Sequence, residues 1–282
     1  MQFSEDDFYT LANFFGYGQA EAEVWVMGLE EKGDPNQLTT RMAFEQVMGK
    51  ADGIYSLGLD EQVFDELSLN HQGLAISTLL LQVAGKNLDL ESANKYYSER
   101  LFSADHNSLY IPFYPIPGDK EMELNFGQFF PLFEDHPTYL NKTAKIRGEF
   151  LNEALAEYKP KLLLAIMKTE EGYPQAFFQT FNLTNQGFFD AGWDTDTVVI
   201  RVDDLATLTG QQLRELAEFI DENCLPIDPY KEFGPVRLSV TEQEKIRKEA
   251  AKAAAFAKRK NKTKHNPADP YCVCEQCLNY DK

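Results

Sequence analysis

Cysteine is scarce in this chain of 282 residues, which contains four in all. Three of them, Cys272, Cys274 and Cys277, lie close together near the C-terminal end, and Cys224 stands alone. A disulfide-stapled domain needs paired cysteines along its length, so this class of protein is excluded. With 43% hydrophobic residues the chain can bury a core of its own, and we expect Cys224 to be an apolar filler within it.

Long apolar runs are also absent. No stretch approaches the roughly 18 apolar residues that cross a membrane, and the first residues are acidic, whereas a secretory signal begins with basic ones. We therefore expect a cytoplasmic protein without membrane contact. The sequence does not define an oligomeric state.

Basic side chains are in short supply, with 27 Lys and Arg against 45 Asp and Glu and a net charge of −18. The basic residues concentrate in 241–265, so an acidic body carries a basic arm. Because Lys and Arg neutralise phosphates, the body alone is a poor nucleic-acid binder, and the arm is the candidate contact. A charged helix exposed to solvent is the alternative interpretation of the arm.

Four short apolar runs predict buried strands, and helical patterns lie between or beside them. The runs are residues 23–28, 109–117, 161–167 and 197–202. Alternating strands and helices predict an α/β protein with a mostly parallel sheet covered on both faces. Proline cannot donate a hydrogen bond to a neighbouring strand, so we expect the second strand to be short or to lie at an edge near Pro112.

The C-terminal part divides by composition. We predict a main domain over 1–225, a linker rich in proline over 226–240, a basic helical arm over 241–264 and a tail rich in cysteine over 265–282. Thr241 and Glu244 form a capping box at the start of the arm. Few large apolar residues follow, so we expect the arm to project from the body.

The tail has the residue types of a zinc site. His265, Cys272, Cys274 and Cys277 offer one nitrogen and three sulfur ligands at close spacing, which suits a single tetrahedral Zn²⁺. The spacing lacks the paired arrangement of well-defined zinc fingers. A reduced, flexible end rich in thiols is the alternative.

The best candidate for a chemical site is the loop of residues 28–33, because ligands of parallel α/β folds bind outside the carboxyl ends of strands. The strand leading into Gly28 and the order of the later elements resemble uncharacterised members of the uracil-DNA glycosylase-like superfamily. The similarity covers about residues 20–225 and rests on the following segments: Gly28-Leu-Glu-Glu, Tyr114-Pro-Ile-Pro, Lys159-Pro-Lys-Leu-Leu-Leu-Ala-Ile-Met, and the final strand and helix. It implies a three-layer α/β/α fold with a central four-stranded parallel sheet.

The resemblance also implies roles for acidic residues. Glu30 falls where one branch of the superfamily has a catalytic carboxylate, which orients water and stabilises positive charge on the sugar. Glu31 is the alternate, and both can equally be residues of a solvated acidic loop. Active relatives have a histidine after the fourth strand, whereas Asp203 and Asp204 stand there in this chain. Two carboxylates repel a departing anionic base, so we do not expect ordinary uracil excision.

Other roles for these residues remain open. Glu30, Glu31, Asp203 and Asp204 have the oxygen ligands of a divalent cation site if the strand ends converge. Alternatively, each Asp caps a helix, which is the commoner use of an Asp in that position.

Three further residues are candidate substrate contacts. Phe113 and Tyr114 could stack on a nucleobase, although core packing of these aromatic side chains is the more common outcome. Alternation along a strand would send only one of the two towards the core. Asn125 could read the edge of a base through its amide, or it could simply lie in a turn.

The sequence thus favours a protein that binds a nucleobase or nucleic acid on a uracil-DNA glycosylase-like scaffold, with N-glycosidic hydrolysis as a candidate reaction. The alternatives are a non-catalytic binding or regulatory protein with a degenerate site and a metal-dependent hydrolase.

Overall fold

The computed structural model describes residues 4–30, 69–86, 89–103, 105–116, 126–127, 130–169 and 173–233. Its helices are α1 (Glu5–Ala12), α2 (Leu69–Val83), α3 (Leu90–Glu99), α4 (His136–Tyr158), α5 (Gln175–Gln179), α6 (Gly210–Asn223) and a 3-10 helix (Leu205–Thr207). Its strands are β1 (Tyr17–Gly18), β2 (Val24–Glu30), β3 (Ser108–Tyr114), β4 (Leu162–Ile166), β5 (Thr184–Asn185), β6 (Asp190–Asp194) and β7 (Thr197–Val202). Within these ranges no helix is both long and apolar enough to cross a lipid bilayer.

Within the described ranges the strands form one mixed sheet of seven strands in the order β1-β3-β2-β4-β7-β6-β5. The four central strands are parallel, which confirms the α/β class and the four predicted strands. The predicted four-stranded sheet is wrong in its extent, because β1 joins one edge and β6 and β5 join the other, all antiparallel. Two of these strands have only two residues and β6 reads Asp-Ala-Gly-Trp-Asp, so none has the apolar run that reveals a buried strand.

Helices cover both faces of the sheet, as the alternation of elements predicts. Trp25 and Met27 of β2 enter a core shared with α1, α4 and α5, which we call the first face. Val24 and Val26 enter a second core shared with α2, α3 and α6, the second face. Because each central strand is buried on both sides, its sequence is a continuous apolar run rather than an alternating one.

Two of the helices beside the sheet, α4 and α6, begin at side-chain caps. Asp135 caps α4 by accepting a hydrogen bond of 2.8 Å from the amide of Thr138. Thr209 and Gln212 form a reciprocal capping box at the start of α6. α4 ends at Tyr158, before Lys159 in the left-handed conformation and Pro160.

Strand β3 is partly open at one edge, as predicted near Pro112. Strand β1 pairs only with Leu109 and Tyr110, so among the described residues the main chain of β3 beyond them has no strand neighbour on that side. The chain comes very close to β3 just before β1. Gly16 has a φ of +145°, and a Cβ there would collide with the carbonyl oxygen of Tyr110.

Arg147 covers this open edge from α4. Its side chain is fully buried. It donates hydrogen bonds to the carbonyl oxygens of Pro112 (2.9 Å) and Phe113 (2.9 Å) in β3. It also donates to those of Ala12 (2.9 Å) and Phe14 (2.7 Å) at the end of α1. One guanidinium thereby joins α4, β3 and α1, and its planar set of donors suits this multiple contact better than a Lys ammonium would.

We predict that Arg147→Met lowers the free energy of unfolding by about 3 to 5 kcal/mol, because buried carbonyl groups lose their donors. Arg147→Lys should lower the free energy of unfolding by less than Arg147→Met, because an ammonium keeps the charge but cannot reproduce the planar set of donors of the guanidinium. Urea denaturation of both variants tests the prediction, with Arg214→Met on the exposed face of α6 as the matched control. A loss at position 147 no larger than at position 214 would contradict it.

The chain after α6 packs against the amino ends of the strands. The predicted linker begins here, but its residues 226–233 lie on the body, and all described residues belong to one compact unit. Asn107, just before β3, donates to the carbonyl oxygen of Asp228 at 2.7 Å and to Glu23 at 3.0 Å. The hydroxyl of Tyr96 donates to the carbonyl oxygen of Pro229 at 3.2 Å.

Glu23 is the charged centre of this region. Its carboxylate lies 3.0 Å from the ammonium of Lys161 and 2.9 Å from that of Lys231. Partial burial raises the pKa of Glu23, but the hydrogen bonds from Lys231, Lys161 and Asn107 outweigh burial and lower it to about 2. The ionised form is therefore favoured in the folded state.

We predict an acid-sensitive contribution of Glu23 to stability. A lowered pKa in the folded state stabilises the fold above the ordinary value of 4.5, and the contribution disappears as pH falls towards 2. Water still reaches the site, so we expect about 1 to 2 kcal/mol rather than the full linkage value. Glu23→Gln should lose this amount at pH 7 and little at pH 2.5, whereas exposed Glu21→Gln should change stability little at either pH. Equal effects of Glu23→Gln at both pH values would refute the assignment.

Candidate functional site

The carboxyl edge of the sheet contains a reversal of strand order. The chain passes from β2 to β3 on one side and then returns to β4 on the other side of β2. The helices of these two crossovers lie on opposite faces, as expected when both connections have the same hand. Such a reversal separates the connections leaving neighbouring strands and creates a crevice outside their carboxyl ends.

The end of β2 lies at the centre of this edge. Gly28 is aligned with Pro112 of β3 and Ile166 of β4, and Glu30 is aligned with Tyr114. Gly28 is buried, and a Cβ there would collide with the hydroxyl group of Tyr110. Gly28 thus allows the Tyr110 ring to lie against β2, a packing role that the sequence did not indicate.

Several predicted site residues lie outside what the structure describes. They are the side chain of Glu30 together with Glu31, Asn125, His265, Cys272, Cys274 and Cys277. Glu30 is the last residue of β2, and the structure describes its main chain. Its position at the strand end is therefore established, whereas its predicted chemical role stays a prediction.

Phe113 and Tyr114 are both core residues. Their exposed fractions are 0% and 1%. The ring of Phe113 lies 5.7 Å from that of Phe177, and the ring of Tyr114 lies 5.9 Å from that of Tyr139, measured between centroids. The expectation that only one of them faces the core is wrong: Tyr114 is the last residue of β3, and both side chains join the first-face core. Neither ring is exposed for stacking on a base.

Asp203 is paired with a cation. Its carboxylate lies 2.6 Å from Nη1 of Arg201 and is 63% exposed. The same guanidinium lies 2.6 Å from Asp190, which is 19% exposed, and donates to the carbonyl oxygen of Met167 at 3.2 Å. Burial lowers the pKa of Arg201, but the hydrogen bonds with Asp190 and Asp203 outweigh it and raise the pKa above its ordinary value. The carboxylate of Asp203 is therefore not an isolated negative charge.

Asp204 caps the 3-10 helix that follows β7. Its Oδ1 accepts a hydrogen bond of 2.9 Å from the amide of Ala206, which confirms the capping alternative. Gln72 of α2 donates to the same oxygen, and its own Oε1 accepts a bond of 3.2 Å from the Ala206 amide. This reciprocal contact joins the loop after β7 to the second-face helices.

The sequence did not single out three residues of this region: Arg201, Asp190 and Gln72. Arg201 had a signal, because it is the one charged residue in the apolar strand Thr-Val-Val-Ile-Arg-Val and a charge there requires partners. Asp190 and Gln72 had no comparable signal, since each meets its partner only through the tertiary fold.

The carboxylates of the loop after β7 are thus already engaged. In the ranges that the structure covers, no group of three or more His, Cys, Asp or Glu side chains is placed to hold a metal ion. The predicted cation site would depend on Glu30 and Glu31, whose side chains are outside those ranges.

Cys224 is half-buried, and burial raises the pKa of its thiol to about 12, which fits a structural rather than a reactive cysteine.

Comparison of the chain with protein-family models, with curated proteins and with solved structures gives no match. The class that the fold defines is an α/β protein with a seven-stranded mixed sheet and a parallel centre.

We predict that the two acidic partners of Arg201 differ in their contribution to stability. Asp190→Asn should lower the free energy of unfolding by about 1 to 3 kcal/mol, because Asp190 pairs with Arg201 where both side chains are largely buried. Asp203→Asn should cost less than about 0.5 kcal/mol, because Asp203 is largely exposed. Chemical denaturation of both variants measures the difference, and a larger loss from Asp203→Asn would contradict it.

Proposed function

We propose that this protein binds a nucleobase, free or within a nucleic acid, in the crevice at the carboxyl edge of its sheet, on a uracil-DNA glycosylase-like scaffold of three α/β/α layers. The observation that carries the proposal is the reversal of strand order at β2, because ligands of open α/β sheets bind outside the carboxyl ends of the strands at such a reversal. The resemblance of the sequence supplies the ligand class.

Glu30 is the residue to which we assign the chemistry, with Glu31 as the alternate. N-glycosidic cleavage develops positive charge on the sugar, and a fixed carboxylate stabilises that charge and orients the attacking water. Ordinary uracil excision is not part of the proposal. Asp203 is paired with Arg201 and Asp204 serves as a cap, so neither donates a hydrogen bond to a departing base.

The basic arm and the tail are assigned to nucleic-acid contact. Residues 258–264 read Lys-Arg-Lys-Asn-Lys-Thr-Lys, a density of positive charge that suits phosphate groups. The zinc site that we propose consists of His265, Cys272, Cys274 and Cys277, and it would fold the chain beyond the arm.

A non-catalytic binding protein is the second candidate. The observation that favours it is the engagement of both carboxylates after β7 in contacts within the protein. On this interpretation the crevice keeps its ligand but lacks a group that assists the departing base.

The proposal is tested with single- and double-stranded DNA containing uracil or hypoxanthine. We expect the full chain to bind single-stranded DNA in a fluorescence anisotropy titration, with affinity falling as salt rises because phosphate contacts release counterions. Where base release occurs, Glu30→Ala should reduce its rate at least about 100-fold and leave binding largely intact. Glu153→Ala, at an exposed position of α4, is the matched control.

Three outcomes separate the alternatives. Binding without base release supports the non-catalytic candidate, and base release unchanged in Glu30→Ala removes Glu30 from the mechanism. Absence of binding to DNA and to free nucleobases refutes the proposal.

Metal analysis of the same preparation tests the tail, where we expect one zinc per chain.

A further inference from the structure

A groove on the first face lies between α4 and residues 173–177 at the start of α5. Its volume is about 430 Å³. The wall formed by α4 consists of Asn141, Ala144, Lys145, Gly148, Glu149 and Asn152. None of the described residues that line the groove belongs to the predicted site, so this surface is available for a separate contact.

The rim of the groove on α4 carries a row of polar side chains. Asn141, Lys145 and Glu149 are exposed and follow one another at intervals of four residues, so they lie on one side of the helix. Asn152, three residues further on, continues the row and is half-buried. Unlike the buried floor of the groove, these side chains are accessible to a partner molecule.

These four side chains have no partner within the ranges that the structure describes. Neither Lys145 nor Glu149 takes part in an ion pair there, and the carboxamides of Asn141 and Asn152 make no hydrogen bond there. A lysine four positions before a glutamate is also the less favourable order for pairing along one helix. Both charges are therefore available to a second molecule.

The order of these side chains is self-complementary. From Asn141 to Asn152 it reads amide, cation, anion, amide, so reversing the direction of the helix exchanges the two charges and preserves the amides. When a second α4 lies antiparallel across the first, with a two-fold axis at position 147, Lys145 of each copy faces Glu149 of the other. The midpoint between Asn141 and Asn152 differs from that axis by only half a residue, roughly 0.75 Å along the helix, so these amides also face each other. A parallel alignment would instead bring like charges together.

We infer that this face of α4 is the contact between two copies of the chain in a symmetric dimer. A two-fold axis makes every pairing occur twice, so the contact contains two Lys145–Glu149 ion pairs and two sets of facing amides. Ala144 and Ala176 border the same groove and supply apolar surface beside the polar row. The inference concerns a surface that the proposed function does not use, and it is independent of that function.

The dimer should be weak and sensitive to salt. Exposed ion pairs contribute little each, because water and dissolved ions screen them. One helix face also offers less area than the roughly 800 Å² per partner of a standard stable interface. We therefore expect a dissociation constant on the order of 10 μM, which rises as salt is added.

The test is sedimentation velocity of the full chain at concentrations from about 1 to 100 μM, in the absence of nucleic acid. Lys145→Glu and Glu149→Lys each place like charges opposite one another at two symmetric points, and each should weaken dimerisation at least about tenfold. The double variant exchanges the charges and should restore dimerisation, as expected for directly paired residues. Glu153→Lys, at an exposed position of α4 outside the groove, changes the net charge as Glu149→Lys does and should leave dimerisation unchanged.

The double variant makes the outcome decisive. Weaker dimerisation of both single variants, with recovery in the double variant, supports the inference. A monomer throughout the concentration range overturns it. Dimerisation that the single variants leave unchanged assigns the contact to another surface and also overturns it, as does a double variant that dimerises more weakly than either single variant. All the substitutions are at exposed positions, so circular dichroism should show an unchanged fold in each variant.

Discussion

The architecture depends on the buried guanidinium of Arg147. Desolvating a cation is costly, and this one is stabilised by carbonyl oxygens of β3 and of the end of α1. These contacts hold α4 against the partly open edge of β3 and fasten the N-terminal helix to the same point. Removing the charge of Arg147 would therefore affect the positions of α1, β3 and α4 together.

Much of the sheet could be predicted because its central strands are buried on both faces. Apolar runs such as Leu162–Ile166 are typical of strands covered on both faces, and the partly open edge near Pro112 follows from its missing amide hydrogen. The edge strands could not be predicted in the same way. β1 and β5 pair through two residues each, and their existence depends on contacts with distant parts of the chain rather than on local sequence.

The strand-end position of the candidate residues was predictable, whereas their contacts were predictable only in part. The apolar run over 23–28 predicts a strand that ends near Gly28 and Glu30, and β2 ends at Glu30. The charges of Asp203 and Asp204 were harder to interpret, since an acidic pair in sequence does not reveal which cation or amide it meets. Arg201 of β7 pairs with Asp203, and Gln72 of α2 donates to Asp204. The loop therefore presents fewer unpaired carboxylates than its sequence suggests. Phe113 and Tyr114 show the same limit, because their burial follows from the end of β3 and not from its alternation.

The two cores that the sheet keeps apart have a consequence for how such a protein can change. Side chains on the second face contact α2, α3 and α6, and the sheet separates them from the side chains of the first face. Substitutions on opposite faces share few neighbours, so their energetic effects should add rather than interfere. The sheet thus separates two sets of core side chains that can change independently during evolution. Substitutions on one face can alter its function while the core on the other face continues to stabilise the fold.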